Sequence, residues 1–166
     1  MNNLLFEEFI KVCKDLNKVD IKPTLMGSLG LELVSNKNWK PSDIDIHVPG
    51  DPRGWDAPDE DRIYNFNVIY SVMNRLDYRL IDRHEHEFTN GIVSIEYGCI
   101  DTLPEFAGIP LSNLQDMHID GAHFYVPSLE QYLKIYESSS KDSYRNNNNN
   151  NKDFEKILYL ERVLNK

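Results

Sequence analysis

Apolar residues recur along the chain in two rhythms, and the switches between them predict its elements. Over residues 3–16, Leu5, Phe6, Phe9, Ile10, Cys13 and Leu16 fall on one side at helical spacing, which predicts an amphipathic helix with one buried face. Pro23 ends that rhythm. Thr24-Leu25-Met26 is a short apolar run before Gly27, read as a strand ending in a turn. Residues 42–48, SDIDIHV, alternate strictly. Asp43, Asp45 and His47 therefore share one strand face, and Ile44, Ile46 and Val48 the other. Pro49-Gly50-Asp51-Pro52 stops this strand, and a Pro- and Asp-rich loop follows over 51–60. The helical rhythm returns over 61–76, carried by Ile63, Phe66, Ile69, Tyr70, Met73 and Leu76.

The second half reads as hairpins followed by helices. A strand over about 77–88 meets Asn90-Gly91, a strong short-range hairpin signal, and returns as IVSIEYGCI over 92–100. A second hairpin is expected at Asp120-Gly121, between MHI and AHFYV. Ser128 and Gln131 stand at capping-box spacing and open a third helix. A last helix over roughly 152–165 is expected to turn Phe154, Ile157, Leu158, Leu160 and Leu164 inward. The six asparagines from Asn146 to Asn151 read as a low-complexity loop, because asparagine is a poor helix former. Hairpins mixed with helices predict an α+β class, a mixed β-sheet flanked by helices, with C-terminal helices. One domain over 1–166 is expected, with an α/β core to about 126 and C-terminal helices from about 127.

Composition narrows the function. Hydrophobic residues make up 40% and charged residues 27% of the 166 positions, as in ordinary globular proteins. A formal net charge of -9 disfavours stable nucleic-acid binding, which needs basic surface to displace phosphate counterions. Cys13 and Cys99 are too few for a disulfide framework and read as buried thiols, so a cytoplasmic location is expected. Glu7 and Glu8 interrupt the first apolar stretch, which is read as neither signal peptide nor membrane span.

Candidate chemistry starts at Asp43 and Asp45. Carboxylates at i and i+2 of a strand project from one face, roughly 7 Å apart at the backbone, and their oxygens can converge on a divalent cation. Like charges on one face repel, so the pair costs stability unless a cation lies between them. Upstream, Gly27-Ser28-Leu29-Gly30 follows an apolar strand. Glycine lets backbone N–H groups approach a phosphate, Ser28 adds a hydroxyl, and a helix starting near Leu29 would aim its N-terminus at the same anion. No Walker-type lysine follows, so this is not a P-loop.

Together, an apolar strand, Gly-Ser, about fifteen residues and then apolar-Asp-apolar-Asp-apolar resemble the DNA polymerase β-type nucleotidyltransferase superfamily. MGSLG and PSDIDIHV fit its pattern, and the tail VPSLEQYLKIYESSSKDSYRNNNNNNKDFEKILYLERVL is similar to the closing helices of small nucleotidyltransferases, with Arg145 and Lys152-Asp153 at the places of their basic and acidic residues. The resemblance implies Mg²⁺-dependent transfer of a nucleoside monophosphate from an NTP to an unidentified acceptor. It implies that Asp43 and Asp45 bind metal and triphosphate, that Gly27 and Ser28 hold phosphates, and that a third acid holds the catalytic metal. The candidates for that acid are Glu96 and Asp101. Strand parity sets Ser94, Glu96 and Gly98 on the face away from Val93, Ile95, Tyr97 and Cys99. Glu96, with small neighbours that leave room for a ligand, is preferred; Asp101 has the parity of the apolar face. The family often carries Asp at this position.

Two other functions are consistent with these residues: a catalytically silent nucleotidyltransferase-fold binding or regulatory module, and a zinc hydrolase built on His84 and His86. The RHEHEF segment around these histidines otherwise reads as a solvated strand face. His47 continues the acidic face, and His118 and His123 flank the second hairpin. Trp39 and Trp55 read as packing residues, and Lys134 and Lys141 as a solvated helix face.

Overall fold

In a computed structural model that describes residues 3–141 and 152–165, the two rhythms become a seven-stranded sheet with seven helices among the described residues. The elements are α1 (Asn3–Lys18), β1 (Thr24–Met26), α2 (Gly27–Ser35), β2 (Ile44–Val48), α3 (Asp59–Arg62), α4 (Phe66–Arg75), β3 (Arg79–Asp82), β4 (Glu87–Thr89), β5 (Ser94–Cys99), α5 (Leu103–Ala107), β6 (Gln115–Ile119), β7 (Ala122–Val126), α6 (Leu129–Ser140) and α7 (Lys152–Val163). The strand order is β3-β4-β5-β2-β1-β7-β6. β2 pairs parallel with β5 and antiparallel with β1, and β1 pairs parallel with β7. The sheet is mixed and the class is α+β, as the hairpin-and-helix order predicts. No helix among the described residues is long and apolar enough to cross a membrane.

The strict alternation of β2 and β5 governs the packing. Ile44, Ile46, Val48, Ile95, Tyr97 and Cys99 are buried, while the residues between them are partly exposed. α1 and α4 cover the apolar face. Phe9 meets Phe124 edge-on at 4.9 Å between ring centres, and the Tyr97 hydroxyl donates to Met73 Sδ at 3.2 Å. Cys13 and Cys99 are buried and unpaired by disulfide. The other face keeps room for charged groups.

Several local signals are realised as read. Ser128 caps α6 in a full capping box with Gln131, and Asp120 and Gly121, both at positive φ (52° and 84°), join β6 to β7. Elsewhere tertiary contacts override the periodicity. The helix expected over 61–76 is split, because Asn65 adopts a left-handed conformation (φ 56°) ahead of α4. The strand expected over 77–88 is two strands, β3 and β4, joined by a turn over 83–86. Asp82 Oδ1 accepts from Glu85 N at 3.1 Å, His86 sits at φ 52°, and the buried Arg62 of α3 reaches the His84 carbonyl and His86 Nδ1 while pairing with Asp59. RHEHEF is thus no solvated strand face: His84 is exposed but His86 is buried. On α7, Phe154 and Leu158 point outward, 41% and 67% exposed, whereas Leu160 is buried. Arg145 and Asn146 to Asn151 lie outside the described residues.

Candidate active site

The register of the parallel pair assembles the acids. Asp45 lies directly opposite Glu96, and Ile44 opposite Ile95, so the two carboxylates leave the same face on strands about 4.8 Å apart. Asp43 stands just before β2, on the same parity. Asp101 does not join them. It lies past the end of β5, and its Oδ2 accepts from Gly50 N at 2.8 Å, tying down the loop after β2. The space above Gly98 is also taken: a Cβ there would sit 2.7 Å from His47 Nε2. His47 Nε2 is in turn 3.4 Å from Asp45 Oδ1.

Burial and neighbouring carboxylates together raise Glu96, Asp43 and Glu87. Glu96 is pushed up to about 8 by burial, by a hydrogen bond with Glu85, and by the charges of Asp45 and Asp43. Asp43, although its surface is exposed, is raised by desolvation and then by Asp45. Glu87, paired with Glu96 across β4, is raised by burial and by Asp82, Asp43 and Glu85. Such shifts express a face that disfavours carboxylate charge until something positive balances it.

The Gly-Ser turn is pressed against these acids. Met26, the last residue of β1, is the partner of Asp45, and Gly27 follows at φ +65°, where an added Cβ would lie 3.0 Å from Asp45 Cβ. Gly27→Ala is therefore expected to cost about 2 kcal/mol through left-handed strain and the close approach, measurable by denaturant unfolding. α2 begins at Gly27 itself, two residues before the Leu29 start that the sequence suggests. The buried Tyr132 of α6 holds the turn by donating its hydroxyl to Gly27 O at 3.0 Å. A Cβ on Gly30 would fall 2.2 Å from that hydroxyl, so glycine is needed there for the helix to close on Tyr132.

Lys156, which sequence reasoning missed, completes the site. It lies on α7 and donates from Nζ to Ser28 Oγ at 2.9 Å. The resemblance directs attention instead to Lys152-Asp153; Asp153 is buried. The only available signal for Lys156 is its place on the final amphipathic helix, which says nothing of which distant turn it meets. The histidines of the zinc reading are engaged by protein groups: Asp59 Oδ1 meets His84 Nδ1 at 2.9 Å, and Arg62 Nη1 meets His86 Nδ1 at 3.2 Å.

Sheet order and helices together define the nucleotidyltransferase-like fold. An antigenic nucleotidyltransferase-like protein from Paracoccidioides brasiliensis superposes with a TM-score of 0.63 over 98% of this chain and 77% of that one, at 17% identity. The antibiotic-resistance factor ANT(2'')-Ia superposes in solution with a TM-score of 0.57 over 99% of this chain and 93% of its own, at 13% identity. Its crystal structure in complex with adenylyl-2''-tobramycin gives 0.58 over 98% and 90%, at 12% identity. No sequence-family model matches the chain. Within this fold, the chain belongs to the same family as the uncharacterized protein YnaI of Bacillus subtilis (strain 168), to which it is 36% identical over 166 residues, 96% of this chain and 97% of that one.

Proposed function

We propose that this protein is a divalent-cation-dependent nucleotidyltransferase that moves a nucleoside monophosphate from an NTP to the hydroxyl of a small acceptor. The observation that carries this reading is the seating of the Gly27-Ser28 turn against Asp45, with Asp43 and Glu96 on the same side of the sheet. Three crowded carboxylates are a hard oxygen donor set of the kind Mg²⁺ prefers, and the raised Asp43 and Glu96 fit a site whose charge a cation balances. Among the described residues, no three such groups already stand close enough to grip an ion, so Asp43, Asp45 and Glu96 would hold it after side-chain rotation. A bound Mg²⁺ supplies charge neutralisation and orientation of the phosphate oxygens.

The chain's own groups then divide the work. Backbone N–H groups at the start of α2 and the Ser28 hydroxyl face the phosphates. Lys156, beside Ser28, sets a positive charge where pyrophosphate departs. The acceptor oxygen attacks the α-phosphorus, the bond to the β-phosphate oxygen breaks, and Glu96, once ionised, accepts the acceptor's proton. Lys156→Ala is expected to weaken NTP binding about tenfold, the scale of one charge-assisted contact, as read by calorimetry.

Glu85 and Glu87 beside Glu96, Asp82 beside Glu87 and the net charge of -9 favour a cationic acceptor by electrostatic steering. A neighbour of the same fold crystallised with adenylyl-2''-tobramycin makes a small-molecule acceptor the first class to test. A second reading, a nucleotide-binding module without turnover, is favoured by the hydrogen bond between Glu85 and Glu96, which occupies the third acid. Calorimetric titration with each NTP and Mg²⁺, followed by a pyrophosphate-release assay over hydroxylated amines, tests both. Binding with release establishes the transferase, binding without release across the panel favours the module, and no binding overturns both.

A further inference from the structure

The histidines of the second hairpin take no part in the site above. β6 and β7 pair with His118 opposite His123 and Ile119 opposite Ala122, leaving the two-residue Asp120-Gly121 connection. In such a hairpin the residues flanking the turn form the hydrogen-bonded pair. The next pair, His118 and His123, is then the non-hydrogen-bonded kind, with Cα atoms about 4.5 Å apart and side chains closest. The backbone of His123 agrees. Its N–H donates to Asn17 Oδ1 at 2.9 Å, and its carbonyl accepts from Asn17 Nδ2 at 3.0 Å and from Cys13 Sγ at 3.2 Å. Those groups are thus turned toward α1 and away from β6, and they pin the strand in place. Both imidazoles are exposed, and their rings stack with centroids 3.8 Å apart and planes 28° apart.

We propose that His118 and His123 form a two-imidazole chelate for one divalent transition ion of the Cu²⁺ or Zn²⁺ kind, distinct from the carboxylate site. Imidazole nitrogen suits these ions and not the hard Mg²⁺. Because the strand pairing sets the spacing, only ring rotation is needed to turn the stack into a pincer, and exposure leaves the rings free to rotate. Water fills the remaining positions: Asp116, on the same face of β6, is held by Lys22 Nζ at 2.8 Å. Once one imidazole binds, the second binds intramolecularly, and this raises affinity about a hundredfold over a lone histidine. The inference does not rest on the nucleotidyltransferase reading.

The test uses the full chain without an affinity tag, at neutral pH, with Mg²⁺ in excess to occupy carboxylates. Cu²⁺ is titrated and followed by electron paramagnetic resonance, with Zn²⁺ as competitor. The expected result is one Cu²⁺ per chain with two equatorial nitrogens, displaced only by Zn²⁺ in large excess, as the Irving–Williams order requires. His118→Ala and His123→Ala should each lose about a hundredfold in affinity, because either change leaves a lone imidazole, and the double variant should lose the site altogether. Asp43→Asn with Asp45→Asn should leave the Cu²⁺ signal intact, and circular dichroism checks that each variant folds. Small losses that add between the two single variants would overturn the proposal, as would Cu²⁺ that stays bound in the double histidine variant.

Discussion

Replacing Asp43 and Asp45 together by Asn is expected to abolish Mg²⁺-dependent NTP binding, a loss of roughly a thousandfold. Each substitution removes one negative charge facing the cation, on the scale of a few kcal/mol per partner in a partly desolvated site, and a factor of ten in affinity corresponds to about 1.4 kcal/mol. The change is nearly isosteric, so the fold is expected to survive it. Asp43 is already raised by desolvation and by Asp45, so the amide also relieves repulsion. His47 Nε2, 3.4 Å from Asp45 Oδ1, keeps a polar neighbour. Calorimetry with Mg²⁺ and each NTP reads the result. Unchanged affinity in a folded double variant would sink the assignment of these acids.

Glu96→Gln is expected to separate catalysis from binding. Loss of a positioned proton acceptor lowers turnover by about 10²–10⁴-fold, while nucleotide affinity, carried largely by Asp43, Asp45 and the Gly27-Ser28 turn, changes far less. The same substitution is expected to stabilise the metal-free protein. Glu96 moves from 4.5 to about 8 on folding. Between these values the folded chain keeps a proton that the unfolded chain has released, so stability falls as pH rises from about 4.5 to about 8 and is level above. Gln has no proton to lose and removes that slope. The gain at the top of the window is on the order of 1–2 kcal/mol, the full shift being discounted because the side chain is partly solvated. Thermal melts across pH without metal measure it. A variant that loses turnover but shows the wild-type pH slope would place the titrating group elsewhere, and one that keeps full turnover would remove Glu96 from the chemistry.

Legibility from sequence follows the range of the interaction involved. The alternation SDIDIHV becomes β2 with Ile44, Ile46 and Val48 buried, because side-chain parity is a property of the strand itself. The Ser128–Gln131 cap and the Asp120-Gly121 turn are equally local, each satisfied within a few residues. The parity that sets Glu96 on the face away from Ile95 and Tyr97 likewise holds in β5. The segment over 77–88 fails as one strand for a reason outside it: the buried Arg62, two elements earlier in the chain, claims the His84 carbonyl and His86. Phe154 and Leu158 fail as core residues because the face that α7 buries is chosen by its contacts, with Trp39 edge-on to Tyr159 at 5.2 Å and Lys156 at Ser28, and not by hydrophobicity alone.

The class of the fold, the parity of the acids and the nature of the turn beside them are legible in the chain alone, since they depend on spacing along one strand or on the backbone freedom of a single residue. Packing of distant segments sets Glu96 and not Asp101 beside Asp45, fills the space above Gly98 with His47, and closes Tyr132 and Lys156 on Gly27 and Ser28. Lys156 and Ser28 are 128 positions apart. Nothing in the local pattern of either encodes the other, and their meeting is set by strand order and helix docking, which the whole core decides together.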